Sequence, residues 1–208
     1  MKRLLVIMPG DFAKCEKGFE KLLHDRLSSY VTEKILITMV ELQPIYVNRS
    51  LELTQLKIGR HRIKRLIHKH SMNDLFYSIV RIFKLTPLQC ALYTNKQSEK
   101  YILNNQKNYD RILFITARSV QNIMPSEYHV DFVDSLSLNF YRKSQTTKRL
   151  WKKILYRYEA ITMKMLESNI YSTVQKSFTV SSIDANTIGT DVIVNPLAID
   201  SSFTRTSL

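Results

Sequence analysis

Polar side chains follow a short apolar segment near the middle of the chain. Residues Val130 to Val133 have the composition of a short buried strand that Asp131 interrupts, and Asp134 and Ser135 come directly after it. Open α/β sheets bind ligands in the crevice outside the carboxyl ends of their strands. Asp134 and Ser135 therefore either accept hydrogen bonds from ligand hydroxyl groups or cap the segment that follows. The sequence leaves both roles open.

Two further candidates follow other apolar segments. Arg118 comes just after the segment Arg111–Thr116, where a guanidinium can hold a phosphate or carboxylate through paired hydrogen bonds. The alternative for Arg118 is an ordinary surface or capping arginine. Gly10 ends the apolar run Leu4–Met8, and a glycine there allows close approach of the backbone to a ligand. Together with the Asp-Ser pair, these residues predict a binding cleft.

The elements that must position this cleft alternate between apolar strands and amphipathic helices. This alternation predicts an α/β, Rossmann-like fold with a mainly parallel sheet and helices on both faces. Beyond the segments named above, strands are predicted at Ile35–Val40, Pro44–Val47, Ser177–Val180 and Val192–Val194. Helices are predicted at about Lys14–Ser29, Gly59–His70, Phe76–Phe83, Ser98–Asn105 and Thr147–Asn169.

The formal net charge of +13 and the sequence pI near 9.7 favour an anionic partner. Two of the predicted helices carry most of this charge beside apolar residues, and such helices can rest on an anionic membrane surface. The residues predicted to make this contact are Arg62, Lys64, Arg65, Arg149, Trp151, Lys152 and Lys153. The alternative is a solvated charged face, with the aromatic residues of the second helix in the core.

Composition excludes several other classes of protein. A chain of 208 residues with an ordinary apolar fraction is a globular domain of usual size. Its two cysteines lack the spacing of a zinc site or a disulfide framework, so no metal site is predicted. The first strand is not followed by a GxGxxG motif, and no cofactor is predicted. No apolar run approaches the roughly 20 residues that span a bilayer. We therefore expect a cytoplasmic protein, soluble or peripheral on the inner face of the membrane.

The central segment VDFVDSLSLNFYRK is similar to the strand-to-loop region of family-4 retaining glycosyltransferases, which have the GT-B fold. Several bacterial members carry Asp-x-x-Asp-x-x-Ser-x-x-Tyr-x-Arg in this place. The matching positions are Asp131, Asp134, Ser137, Phe140 or Tyr141, and Arg142. Further matches fall in the same order along the chain, at Leu85–Tyr93, Asp110, Arg118, Tyr156–Glu159, Val180–Asp184 and Pro196–Asp200. Departures from the family pattern include Leu113 and Ile115, where the family usually has histidines.

The resemblance implies that residues 1–195 form the amino-terminal, acceptor-binding half of such an enzyme. Residues 196–208 would begin the linker to a second half that binds the nucleotide-sugar. The implied reaction moves a sugar to a saccharide or lipid-linked acceptor in envelope polysaccharide synthesis. Since the second half supplies the groups that stabilise the departing diphosphate, we expect the 208-residue chain alone to be inactive.

Two alternatives stay open at this point. The chain could be a basic, non-enzymatic α/β module that binds nucleic acid or another anionic partner. It matches no nucleic-acid motif, and its basic residues are not interleaved with aromatic strand platforms, so nucleic acid is the weaker prediction. The chain could also be the acceptor subunit of a glycosyltransferase split over two chains, with its partner packing near Val192–Asp200.

Overall fold

The computed structural model describes residues 2–10, 35–47, 51–58, 61–120, 123 and 128–195, with the backbone alone for residues 35, 51–58, 61 and 62. These residues form an α/β, Rossmann-like fold, as the sequence predicts. The predicted helix at Lys14–Ser29 and the predicted linker at 196–208 lie outside the described residues.

The described strands form one sheet in the order β3-β4-β2-β1-β5-β6-β7-β8. Seven of the eight strands run parallel, and only β3 is antiparallel, at the edge beside β4. The strands are β1 (Lys2–Pro9), β2 (Ile35–Leu42), β3 (Leu51–Ile58), β4 (His61–Ile67), β5 (Arg111–Ile115), β6 (His129–Asp131), β7 (Lys176–Thr179) and β8 (Ile193–Val194).

The central strand β1 is buried on both faces, as its continuous apolar run predicts. Leu5 and Ile7 point into one hydrophobic cluster, which the helices cover. Val6 and Met8 point into a second cluster on the opposite face. The alternation follows from the two-residue period of a strand, which sends successive side chains to opposite faces.

Six described helices follow in chain order: α1 (Met72–Phe83), α2 (Leu88–Leu92), α3 (Lys96–Asn105), α4 (Leu136–Thr146), α5 (Leu150–Thr173) and α6 (Ser182–Ile188). Residues from α2 to α6 join the first cluster, represented by Cys90, Ile102, Phe140, Met163 and Ile188. These helices therefore form a layer over one face of the sheet.

Two predicted elements are wrong. Residues Gly59–His70 were predicted as a basic helix, but His61–Ile67 is the strand β4, which pairs with β2 and β3. Ile63, Arg65 and Ile67 are buried in alternation, which is the period of a strand. Pro44–Val47 is a turn closed by a hydrogen bond from Val47 N to Pro44 O at 2.8 Å, not a strand.

The basic segment can be a strand because one of its charges is neutralised inside the protein. Arg65 is 5% exposed and Glu41 is 1% exposed. Nε and Nη2 of Arg65 donate to Oε1 and Oε2 of Glu41 at 2.5 and 2.8 Å. This paired geometry links β4 to β2 and compensates both buried charges.

Removing one member of this pair leaves the other charge buried without its partner. We expect Glu41→Gln to lower the free energy of unfolding by about 3–5 kcal/mol. The double variant Glu41→Met with Arg65→Met should lose much less, because both charges leave together. Urea unfolding followed by circular dichroism measures both, and a double variant less stable than the single one contradicts this reasoning.

Candidate functional site

Three of the predicted cleft residues meet at one edge of the sheet. β1, β5 and β6 are neighbours and run parallel, so their carboxyl ends lie side by side. Gly10 follows β1, Arg118 follows β5 and Asp134 follows β6. This edge is where open α/β sheets bind ligands.

Gly10 has a conformational reason to be glycine. Its φ of 106° lies in the left-handed half of the map, which side chains disfavour. Its N–H donates to Leu42 O at 2.9 Å, and its carbonyl accepts from Nε2 of Gln43 at 2.9 Å. Both backbone groups of Gly10 thus join β1 to the end of β2.

Arg118 sits in the short 3-10 turn Ala117–Ser119 and is half-buried. Its positive charge partly offsets the raised pKa values of Asp134, Glu159, Cys90 and Tyr93, so it acts on all four groups. Among the described residues, no group accepts a hydrogen bond from its buried Nε. The Nε–H group of Arg118 is therefore available to donate a hydrogen bond to a ligand.

Two buried residues near this edge also have unpartnered oxygens. Oε1 of Glu159 accepts from Leu88 N at 2.6 Å, but Oε2 is buried without a partner within the described part of the chain. Oγ1 of Thr116, two residues before Arg118, has no partner there either. Buried polar atoms without partners are rare, and a ligand or water is the usual explanation.

Burial controls the ionisation of the groups around Arg118. It raises the pKa of Glu159. Hydrogen bonds from the backbones of Leu88 and Gln89 and the positive charge of Arg118 partly offset this increase. Burial also raises the pKa of the Cys90 thiol to about 12, so Cys90 is neutral and poorly nucleophilic near neutral pH. The cluster consequently offers hydrogen bonds and one cation rather than a reactive thiolate.

Asp134 is partly exposed beside Arg118. Its Oδ2 accepts from Nδ2 of Asn139 at 2.5 Å. Burial raises the pKa of Asp134, while Arg118 lowers it and Asp184 raises it. The carboxylate has capacity for further hydrogen bonds, so a role toward a ligand hydroxyl stays a prediction.

Ser135 takes the capping role that the sequence left open. It is fully buried, and its Oγ accepts from Leu138 N at 3.3 Å at the start of α4. The same hydroxyl donates to Oε2 of Glu167 at 3.2 Å. Direct contact between the Ser135 side chain and a ligand is therefore wrong as a prediction, because no surface of this side chain is open.

Glu167 anchors this capping network from α5. Its carboxylate accepts from Ser137 Oγ at 2.6 Å and from Ser137 N at 3.2 Å, in addition to Ser135. Glu167 is fully buried, and burial raises its pKa despite these hydrogen bonds. The network holds the loop that carries Asp134.

Two β-branched residues at this edge have strained backbones. Thr116 has φ 63° and ψ 153°, a region that is almost restricted to glycine, and Val133 has φ 64°. Thr116 N donates to Asp131 O at 2.7 Å, and Val133 N donates to Oδ1 of Asp131 at 2.9 Å. Such strain costs about 1–3 kcal/mol per residue and clusters at functional sites.

The sequence could not reveal all members of this site. Thr116 carried no signal, because its importance lies in its conformation. Glu159 appeared only inside the Tyr156–Glu159 resemblance, and its proximity to Arg118 depends on how α5 packs. No cluster of three or more metal-ligating His, Cys, Asp or Glu side chains occurs in the described ranges. The arrangement suits an organic ligand with an anionic group and hydroxyl groups.

The residues predicted to contact a membrane differ in their exposure: some are buried and others are exposed. Arg65 is buried against Glu41, so its prediction as a surface contact is wrong. Lys64 is half-buried, and the side chain of Arg62 lies outside the described residues. Arg149 and Trp151 are exposed at the start of α5, while Lys152 and Lys153 are half-buried.

Several large apolar residues of α5 point outward. Trp151, Ile154, Ile161 and Met165 are each about 60% exposed. The buried side of α5 instead carries Glu159, Ala160, Thr162, Met163, Glu167 and Ile170. The alternative that places Trp151 in the core is therefore wrong. No helix in the described ranges is long and apolar enough to cross a membrane.

No protein-family model matches the chain, and no curated protein matches it significantly. The resemblance to family-4 glycosyltransferases accordingly stays a prediction based on the motifs quoted above.

Glu167 should make stability depend on pH in a defined direction. Its folded-state pKa is raised, so its contribution to stability is fully present below the ordinary value of 4.5. That contribution is lost as the pH rises through the shifted pKa. We expect the wild type to lose stability relative to Glu167→Gln as the pH rises from 4.5, measured by thermal unfolding of both proteins. Parallel pH profiles would contradict the assignment, because Asp134 and Glu159 titrate in both proteins.

Proposed function

We propose that this chain is the acceptor-binding, amino-terminal half of a retaining GT-B glycosyltransferase. The complete enzyme transfers a sugar from a nucleotide-sugar to a saccharide or lipid-linked acceptor in envelope polysaccharide synthesis. The observation that carries this proposal is the cluster of Arg118, Asp134 and Glu159 at the carboxyl edge of the parallel sheet. Within the described residues, the buried Nε of Arg118 and the buried Oε2 of Glu159 lack hydrogen-bond partners.

The chemistry of the cluster fits an acceptor site. Arg118 offers a charged donor to a phosphate or carboxylate of the acceptor. Asp134 accepts a hydrogen bond from an acceptor hydroxyl and so orients it. Thr116 and Glu159 supply an inner hydroxyl and an inner carboxylate oxygen that a bound molecule or its water can satisfy.

This division of labour agrees with the chemistry of glycosyl transfer. The reaction needs the acceptor hydroxyl held beside the reacting carbon, and it needs the developing charge of the departing diphosphate neutralised. The cluster provides orientation and a single cation. In the proposal, a donor-binding half in the same protein or in a partner chain supplies the second requirement.

A peripheral position at a membrane is part of the proposal. A lipid-linked acceptor presents its sugar at the bilayer surface. Arg149 and Trp151 are exposed at the start of α5, where a cation and an aromatic ring can contact anionic headgroups.

Arg118 should control binding of an anionic sugar. Glucose 1-phosphate carries both chemical groups that the cluster accommodates, and it can be titrated calorimetrically against the 208-residue protein. We expect Arg118→Gln to raise its Kd about tenfold or more, because a hydrogen bond to a charged group contributes about 1.5–3 kcal/mol.

Arg111→Gln provides the matched control, because Arg111 is an exposed arginine at the start of β5, opposite the strand end that leads to Arg118. If both variants weaken glucose 1-phosphate binding equally, binding depends on the net charge of the protein and not on a specific contact with Arg118. If the wild type ignores glucose 1-phosphate but binds duplex DNA with a steep salt dependence, the nucleic-acid alternative replaces the proposal.

Asp134 should contribute to binding of the sugar part of the ligand and not to binding of its phosphate. We expect Asp134→Ala to weaken glucose 1-phosphate binding and to leave inorganic phosphate binding unchanged, with little loss of thermal stability. Asn139→Ala removes the same internal hydrogen bond while keeping the carboxylate, so it should preserve glucose 1-phosphate binding. If the Asp134→Ala substitution unfolds the domain, Asp134 has a structural role instead.

A further inference from the structure

Helix α1 packs with its polar side inward and its apolar side outward. Its buried residues are Asp74, Ser78 and Arg81. The outward residues are large and apolar: Met72, Leu75, Phe76, Ile79 and Phe83 are 80%, 42%, 70%, 46% and 84% exposed. Their spacing of three or four residues puts them on one side of the helix. We define this set as the outer face of α1.

Hydrogen bonds fix the rotation of α1 about its axis. Ser71 and Asp74 form a capping box at its start, and Oδ1 of Asp74 accepts from Lys96 N at 2.8 Å. Ser78 Oγ donates to Ala91 O at 2.8 Å, and Nη1 of Arg81 donates to Thr94 Oγ1 at 2.7 Å. Turning the apolar side inward would break this network, so the outer face belongs to the native packing.

The exposed charges within the segment that forms this face have one sign. Residues 69–85 contain a single acidic side chain, Asp74, and it is fully buried. The exposed charged residues of this segment are Lys69 and Lys84, one beyond each end of α1. Lys96 lies alongside, with its Nζ 4.3 Å from the centre of the Tyr77 ring. The outer face is therefore complementary to an apolar, negatively charged partner.

Leu85 extends the same surface beyond the helix. It is 60% exposed and has φ 57°, a conformation unusual for a bulky residue. Its position directly after Lys84 continues the pattern of exposed apolar residues bordered by lysine. A contiguous exposed apolar surface of this kind normally marks an interaction site.

We propose that the outer face of α1 inserts into the surface of an anionic lipid bilayer. A helix of 12 residues is about 18 Å long, too short to span the hydrocarbon core, so it lies in the plane of the interface. Phe76 and Phe83 enter the boundary between headgroups and acyl chains, and Lys69 and Lys84 bind anionic headgroups. This inference uses none of the residues of the Arg118 cluster. It extends the peripheral membrane position that belongs to the proposed function, while the glucose 1-phosphate titrations test the acceptor site separately.

Vesicle cosedimentation tests the inference on the 208-residue protein. One set of vesicles contains phosphatidylcholine alone, and the other contains equal parts of phosphatidylcholine and phosphatidylglycerol. We expect binding to the anionic vesicles, with a partition coefficient at least about tenfold lower for the double variant Phe76→Ser with Phe83→Ser. Lys69→Ser with Lys84→Ser should weaken binding to the anionic vesicles as well.

Tyr46→Ser is the matched control, because Tyr46 is a large side chain that is 76% exposed and belongs to the turn at Pro44–Val47 rather than to α1. It should bind like the wild type. Circular dichroism should show the same thermal midpoint for all variants, since every replaced side chain is exposed. Equal binding by the wild type and the double phenylalanine variant overturns the inference, as does equal binding to both vesicle types.

Tryptophan fluorescence locates the contact. The sequence has a single tryptophan, Trp151, on α5. A Phe83→Trp variant in a Trp151→Phe background should shift its emission to the blue on anionic vesicles. The absence of that shift overturns insertion by α1. Analytical ultracentrifugation without lipid tests for self-association. If the wild type self-associates and the double phenylalanine variant does not, the outer face of α1 binds a second copy of the chain, and the inference is also overturned.

Discussion

The candidate site depends on the hydrogen bonds that Asp131 makes from the end of β6. Its carbonyl accepts from Thr116 N, and its carboxylate accepts from Val133 N. One residue thus holds both strained backbones at the carboxyl edge of the sheet. Val133 O also accepts from Val180 N at 2.9 Å and Thr179 Oγ1 at 3.0 Å, so β7 supports the same conformation. The strain persists because neighbouring strands constrain it on both sides.

This constraint explains how the cluster around Arg118 forms. The unusual conformation of Thr116 ends β5 and leads into the 3-10 turn that carries Arg118. Val133 does the same after β6, one residue before Asp134. The two turns bring a cation and a carboxylate together at adjacent strand ends, where separate surface loops would have left them in water. Because the two groups are partly buried, the local dielectric constant is low, and each electrostatic contact is stronger than in water.

Much of the fold could be predicted from local patterns, because buried parallel strands are continuous apolar runs. β1, β2 and β5 were recognisable in this way. β4 was not, because Arg65 makes it resemble a charged helix until Glu41 is known to neutralise it. In α1 and α5, periodicity predicted the helix but not its orientation. The buried sides carry Asp74, Arg81, Glu159 and Glu167, whose partners lie on distant segments.

Part of the site could likewise be predicted. Gly10, Arg118 and Asp134 follow strands, and strand ends of a parallel sheet meet at one edge. The role of Ser135 could not be decided, since Glu167 is 32 residues away in the sequence. The unpartnered oxygens of Thr116 and Glu159 are properties of the packed structure. No residue pattern in a single sequence indicates which buried atoms will lack partners.

The position of β1 at the centre of the sheet has a consequence for the assembly of the chain. β1 begins at Lys2, yet it pairs on one side with β5, and Arg3 N donates to Oδ2 of Asp110, 107 residues later. One edge of this apolar strand must therefore wait for β5, 107 residues further along, before it finds its neighbour. Pairings this distant slow folding and leave the strand edge open to other chains. During synthesis on the ribosome, β1 emerges well before the strand that covers this edge.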